Sequence, residues 1–361
     1  MATIVTFGEI MLRLSTPGFQ RFVQARQFDV AYGGGEANVA ISLANYGHDA
    51  RFVTRLPDHA VGQSALNHLR GHGVDTRFVA RGGERLGIYF LETGASQRAS
   101  TVIYDRAESA VATMPPDAVD WDAALDGADW FHWTGITAAL GETARQSLGA
   151  ALAAAKAAGA TVSCDLNFRK KLWNWRPGTD TVELARETMR GLMPFINVVI
   201  ANEEDCDLCL GIQAPETDVE SGELNVAGYE SVARHIVDEF PGVKTVAITL
   251  RESLSASHNN WGAMLLDASS DTAHFAPLNN RDEYQPYEIR NIVDRVGAGD
   301  SFAGGLIFAL TTPELAAPET ALRYATAASC LKHSIKGDFS YAERPEIEAL
   351  MGGATSGRVS R

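Results

Sequence analysis

Two hydrophobic rhythms alternate along most of this chain. Residues 2–8 (ATIVTFG) form a short β-branched run closed by glycine and predict a buried strand. Residues 36–46 place Val39, Ile41, Leu43 and several alanines at helical spacing, and Gly47 supplies a C-terminal stop. A strand over 50–54 follows, then a helix over 62–69 ended by Gly71 and Gly73. Further on, 128–134 predicts a strand, 143–158 an alanine-rich helix and 161–165 a strand, with two more strands at 198–201 and 245–249. This alternation predicts a parallel sheet covered by helices on both faces.

Two segments break the rhythm. Residues 9–15 with 28–32, and 86–93 with 100–106, alternate as strands with no helix between them, and 94–99 is a polar turn. They predict an antiparallel sheet inserted into the α/β core as a lid. The expected division is therefore a core of 1–8, 33–85 and 107–351, a lid of 9–32 and 86–106, and a disordered tail of 352–361. Residues 252–291, rich in Ser, Asn, Asp and His, are expected to be a surface excursion around one hairpin near 262–267.

Composition narrows the classes. At 361 residues, 45% hydrophobic, the chain can bury a large core without staples. A formal net charge of −14 argues against a nucleic-acid surface, which needs a basic face, yet a locally positive pocket could still take a small anion. Cys164, Cys206, Cys209 and Cys330 are too few and too irregular for a disulfide framework, and one C-x-x-C has no second pair to complete a zinc site. Reduced thiols in a cytoplasmic protein are expected. Residues 1–7 lack the features of a signal peptide, and no stretch approaches the ~18 apolar residues of a membrane helix.

The chemistry concentrates in Asp294-Arg-Val-Gly-Ala-Gly-Asp300-Ser-Phe-Ala-Gly-Gly-Leu. Gly297, Ala298 and Gly299 free successive amides at the start of an apolar helical run, where open donors and the helix dipole suit an anion. Asp300 could simply cap that helix. A carboxylate beside an anion nest is otherwise repulsive, unless it takes a proton. That conflict points to a general base acting on a hydroxyl that attacks a phosphorus held by the nest. No G-x-x-x-x-G-K-[ST] loop occurs, and the G-x-G-x-x-G dinucleotide pattern fails at Gly33–Asn38, so a dehydrogenase fits poorly.

These residues carry a resemblance. G-A-G-D at 297–300, Gly33-Gly34-Gly35 with Asn38, and Asn202-Glu203-Glu204-Asp205 resemble the ribokinase-like (PfkB-type) sugar kinases, over nearly the whole chain. The resemblance implies a three-layer α/β/α sandwich with a small β-sheet lid closing over a sugar. Asp165-Leu-Asn-Phe-Arg-Lys-Lys-Leu-Trp173, Tyr104-Asp-Arg106 and Lys332-His-Ser-Ile-Lys-Gly-Asp-Phe339 are similar to the 2-keto-3-deoxygluconate kinase branch, which phosphorylates a sugar acid on its terminal hydroxyl.

Carried over, the resemblance implies Gly33, Gly34 and Asn38 against the sugar hydroxyls, and Tyr89 and Tyr104 reaching from the lid, with lid packing the alternative for each tyrosine. Asn167 and Arg169 would hold the acid end or the phosphates, and Arg106 the carboxylate; guanidinium is the fitting partner for a carboxylate. Asp300 would be the base, and the 297–299 amides would stabilise the transferring phosphoryl group. Asn202, Thr249, Arg251, Thr326 and Ser329 would face ATP. Magnesium would be organised through water by Asp205, with Glu203 or Glu204 as alternatives, and Asp294 could support a potassium ion. A homodimer through the lids is implied. The rival readings are a kinase of a neutral sugar or nucleoside and a non-catalytic sensor of sugar or nucleotide.

Overall fold

The computed structural model describes residues 1–214 and 226–353, without the side chains at 203, 226 and 227, so most of the expected disordered tail (354–361) lies outside the described residues. The chain runs β1 (Thr3–Phe7), β2 (Met11–Ser15), β3 (Asp29–Gly33), α1 (Gly35–Asn45), β4 (Asp49–Leu56), α2 (Ala60–Gly71), β5 (Val79–Arg81), β6 (Ile88–Glu92) and β7 (Thr101–Asp105). There follow α3 (Trp121–Leu125), β8 (Trp130–Thr134), α4 (Gly135–Ala139), α5 (Glu142–Ala158), β9 (Thr161–Asp165), α6 (Thr181–Leu192), β10 (Val198–Ala201) and α7 (Glu203–Leu210). The remainder is α8 (Val226–Glu239), β11 (Thr245–Ser255), β12 (His258–Asp267), β13 (Thr272–Ala276), β14 (Tyr287–Arg290), α9 (Ala298–Leu310), α10 (Pro318–Lys332) and α11 (Arg344–Met351).

The large sheet has the order β13-β12-β11-β10-β9-β8-β1-β4-β5, with β14 on β12. From β11 to β5 its neighbours are parallel; β12, β13 and β14 join antiparallel. Both faces are buried, because the period of two sends alternate side chains to opposite helical layers. Val199 and Ala201 pack with α5, α6 and α8 residues such as Leu152, Met189 and Ile236. Val198 and Ile200 pack in the other layer with Phe302, Leu306 and Leu322 of α9 and α10. The three layers predicted from the resemblance are present.

Two expectations change. The small sheet, order β3-β2-β6-β7, is mixed: its central β2/β6 pair is parallel, flanked by antiparallel β3 and β7. Residues 252–291 are not a surface excursion. β11 runs straight on to Ser255 and pairs with β12, whose Trp261–Leu266 segment is buried in the core sheet. Polar composition misled here because the polar residues of 268–291 flank strands that pair with the core sheet, while Asn259 and Trp261 of β12 turn into a cavity.

Candidate active site

Open parallel sheets present their strand carboxyl ends, and the helix N-termini that follow, on one side. Here the ends of β9 and β10, the middle of β11, the N-termini of α1, α7 and α9, and the inner face of the small sheet border a cavity of about 370 Å³. Its lining brings together Gly34, Asn38, Tyr89, Tyr104, Arg106, Asn167, Arg169, Asn202, Asp205, Thr249, Arg251 and the Gly297–Asp300 turn, residues spread over most of the chain.

The turn is built as its glycines require. Gly297 caps α9 at φ +83°, and a Cβ there would lie 2.0 Å from the Asp338 carbonyl oxygen, so a side chain is excluded by both conformation and space. At Gly299 a Cβ would meet nothing within 4 Å: this residue faces the open cavity. The Ala298, Gly299 and Asp300 amides belong to the first turn of α9 and have no intrahelical acceptors. Ser329 Oγ donates to the Ala298 carbonyl at 2.6 Å and fastens the turn to α10.

Asp300 does not cap α9, which has no side-chain cap. It is half-buried and lines the cavity. Burial pushes its pKa up to about 6, and Asp338 adds repulsion, while the Asn38 hydrogen bond, Arg169 and Lys332 oppose the rise. Asn38 Nδ2 donates to Asp300 Oδ2 at 2.6 Å, and Asn38 Oδ1 accepts from the Gly34 amide at 3.2 Å. The Asn38 amide therefore orients the aspartate, a role its spacing from Gly33–Gly35 did not show. Gly34 has its own demand: a Cβ would stand 1.8 Å from the Glu9 carbonyl oxygen.

The two arginines differ. Arg169 reaches the cavity from the turn after β9, donates only to the Phe168 carbonyl at 2.9 Å, and makes no ion pair among the described residues. Arg106 is buried and already paired: Nε donates to Glu9 Oε2 at 2.8 Å, Nη2 joins the same oxygen, and the guanidinium lies over the Tyr104 ring. Glu9 Oε1 is left buried without a partner.

Other expected positions are corrected. Thr326 and Ser329 do not reach the cavity. Both are fully buried in α10, Thr326 Oγ1 bonding back to the Leu322 carbonyl at 2.7 Å and Ser329 holding Ala298. Gly33 is pressed against the Asp338 carboxylate and does not line the cavity. The Tyr89 hydroxyl donates to Asp338, at 2.6 and 2.7 Å to its two oxygens, so lid packing describes its polar end while its ring lines the cavity.

At α7, Asp205 closes a capping box with Asn202 and accepts from the Phe168 amide at 2.9 Å. Its Oδ1 thus holds the turn that carries Arg169, and its Oδ2 accepts from the Asn202 amide at 3.4 Å. Asp165, at the end of β9, has only a 3.5 Å contact with Asn167 Nδ2. Burial pushes the Asp165 carboxyl well above the usual range, and Asp205 and Asp300 add repulsion. Among the described residues no group of three or more His, Cys, Asp or Glu forms a metal cage. This donor set suits a cation already carried by phosphates and touched through water by Asp165 or Asp205. The Glu203 side chain lies outside the described residues.

Sequence reasoning missed the far wall. Arg295 donates to the Ser255 and Ala256 carbonyls at 3.0 and 2.9 Å and to Asn259 Oδ1 at 3.3 Å. Burial lowers its pKa, and Arg251 adds to that. Asn259 Nδ2 and Trp261 Nε1 are buried donors with no acceptor, and His333 packs on Trp261 with its pKa lowered to about 4 by burial. All line the cavity. Unanswered donors gather at this end and carboxylates at the other, the polarity expected for a bound polyphosphate.

The model of the pfkB family of carbohydrate kinases matches residues 1–252 and 266–340. The chain is 34% identical to a 2-dehydro-3-deoxygalactonokinase of Haloferax volcanii, over 99% of this chain and 98% of that protein. The crystal structure of a 2-dehydro-3-deoxygluconokinase from Thermotoga maritima superposes with a TM-score of 0.88 at 47% identity, covering 98% of this chain and 100% of the other. An ATP-bound fructokinase of Xylella fastidiosa, 20% identical, shares the fold with a TM-score of 0.74 over 98% of this chain and 99% of that one.

Proposed function

The chain belongs to the pfkB family of carbohydrate kinases, and from that membership we propose that it transfers the terminal phosphoryl group of ATP to the terminal hydroxyl of a 2-keto-3-deoxy sugar acid. One observation carries the reading: a half-buried carboxylate, Asp300, shares its turn with open amides in a cavity that also holds, among the described residues, an unpaired guanidinium, Arg169. The names of similar proteins, a 2-dehydro-3-deoxygalactonokinase and a 2-dehydro-3-deoxygluconokinase, support the substrate class.

The mechanism follows from charge. The sugar acid's carboxylate lies on Arg169, and its terminal hydroxyl points at Asp300. Asp300, ionised above pH 6 and aimed by Asn38, accepts the hydroxyl proton as the oxygen attacks phosphorus. The Ala298–Asp300 amides receive the charge on the migrating phosphoryl group. The polyphosphate lies towards Arg251, Arg295 and Asn202, with Thr249 at its side. Magnesium, when bound with the nucleotide, neutralises phosphate charge, and Asp165 and Asp205 are the carboxylates placed to orient its water. Positioning and charge supply most of the acceleration, and the small sheet excludes competing water.

A second reading, a neutral sugar, is favoured by one fact: Glu9 already answers Arg106. ADP release with ATP and magnesium decides between them, scored by kcat/KM over a panel of sugar acids, fructose and ribose. The sugar acids are expected to exceed the neutral sugars by about 10- to 10²-fold, the worth of a charge-assisted contact; parity would reverse the assignment.

We also place a homodimer at the outer face of the small sheet. The cross-strand neighbours Val30, Leu14, Phe90 and Ile103 form an apolar row across all four strands, with Val30 66% and Ile103 50% exposed. Such rows find partners. Sedimentation is expected to show a dimer that Val30→Asp dissociates; a monomeric wild type would refute this.

A further inference from the structure

Two buried carboxylates stand directly behind the anion-binding turn. Asp294 lies three residues before Gly297, and Asp338 carries the carbonyl on which Gly297 rests. Both are nearly inaccessible, at 7% and 4% exposure. Negative charge at this place opposes what the turn does, since it weakens the turn's attraction for phosphate and hinders ionisation of Asp300. The structure answers both with one cation. Arg13 Nη2 meets Asp294 Oδ2 at 2.5 Å and Nη1 meets Asp338 Oδ1 at 2.7 Å, while Nε donates to Ser15 Oγ at 2.7 Å. Burial by itself would lower the Arg13 pKa; the charges of Asp338 and Asp294 and the Asp338 hydrogen bond oppose it and hold the guanidinium charged.

The origin of that cation matters. Asp294 and Asp338 belong to the core, whereas Arg13 and its cross-strand neighbour Tyr89 belong to the inner face of the small sheet. Asp294 has no free oxygen for another ion: Oδ1 accepts from the Val296 amide at 3.1 Å, and Oδ2 from the Gly337 amide at 3.0 Å besides Arg13. The place where sequence reasoning put potassium is filled by donors.

We propose that Arg13 is a positioning residue for the phosphoryl transfer, the built-in counter-cation of the anion turn, which ties that turn to the lid and makes an added monovalent cation unnecessary. This rests on the kinase reading above. Asp300 is faced by Asn38 from α1, Asp165 and Arg169 from β9 and its loop, Lys332 from α10, and Asp338 from the segment beyond it. Lys332, its pKa lowered by burial and its ammonium donating to the Ile335 carbonyl at 3.0 Å, is a weaker counter-charge than the doubly paired arginine. Without Arg13, Lys332 is the remaining offset to the repulsion of Asp338 on Asp300.

Three measurements test this. Wild-type kcat is expected to agree within about twofold between potassium and tetramethylammonium buffers; a several-fold requirement for potassium would overturn the proposal. Arg13→Met is expected to lose tenfold or more in kcat, with the acid limb of its pH profile displaced upward by about one unit. Arg13→Lys is expected to recover part of both, and Arg13→Met combined with Asp338→Asn to bring the limb back. A variant that loses thermal stability and keeps the wild-type limb would reduce Arg13 to a structural strut. Should Arg13→Met fail to fold, the potassium comparison on the wild type still decides. Calorimetric affinity for a non-hydrolysable ATP analogue needs no turnover. A tenfold weakening in Arg13→Met is expected even if the sugar-acid assignment fails, and unchanged affinity would count against Arg13 alone.

Discussion

Asp300→Asn is expected to lower kcat by about 10²- to 10⁴-fold, the range supplied by a positioned general base, while ATP and sugar-acid dissociation constants stay within a few-fold of wild type. The substitution is nearly isosteric, and an asparagine oxygen can still accept from Asn38 Nδ2, which the wild-type carboxylate holds at 2.6 Å. What disappears is the ability to take a proton. In the wild type the folded pKa is raised to about 6, so the active, ionised form is lost as pH falls through 6, well above the range of an exposed carboxylate. Steady-state kcat from pH 4.5 to 8 and calorimetric binding check both parts. A near-normal kcat in the Asn variant would remove Asp300 from the chemistry.

Arg169→Ala is expected to cost about 10- to 10²-fold in kcat/KM for a sugar acid and little for a neutral sugar, because a charge-assisted contact of 1.5–3 kcal/mol is lost only where there is a carboxylate to meet. The expectation for Arg106→Ala differs in kind. Arg106 is locked to Glu9 with both side chains almost fully buried. Removing it strands a buried carboxylate in the site, so acid and neutral sugars should suffer alike and thermal stability should fall. Paired KM and kcat measurements on both variants separate the roles. Equal losses for acid and neutral substrates in Arg169→Ala would remove the guanidinium as the selector.

How much of this was legible in the sequence depends on the range of the interaction. The Gly297–Asp300 turn could be read directly, because glycine spacing before an apolar helix has few other uses. Gly34 was expected against the sugar hydroxyls through the resemblance, and the structure places it on the cavity wall; its close approach to the Glu9 carbonyl was not legible. Thr326 and Ser329 misled because a hydroxyl in a helix can satisfy itself locally, as Thr326 does on Leu322. Arg13 and Asp338 are 325 positions apart, and nothing local in either segment announces that they meet. The wall of Arg295, Asn259 and Trp261 was hidden by polarity, since a strand that turns donors into a cavity has the composition of a surface loop. The small sheet's strands were legible from period-two alternation, but the parallel pairing of β2 with β6 was not, because alternation is the same in either direction.

The most direct test is a crystal structure of the enzyme with a 2-keto-3-deoxy sugar acid, magnesium and a non-hydrolysable ATP analogue. The account requires the terminal hydroxyl within hydrogen-bond reach of the Asp300 carboxylate, about 2.6–3.2 Å, the terminal phosphate against the Ala298–Asp300 amides, and the sugar carboxylate on Arg169. A sugar acid bound with its terminal hydroxyl turned away from Asp300, or a phosphate chain that bypasses those amides, would contradict it.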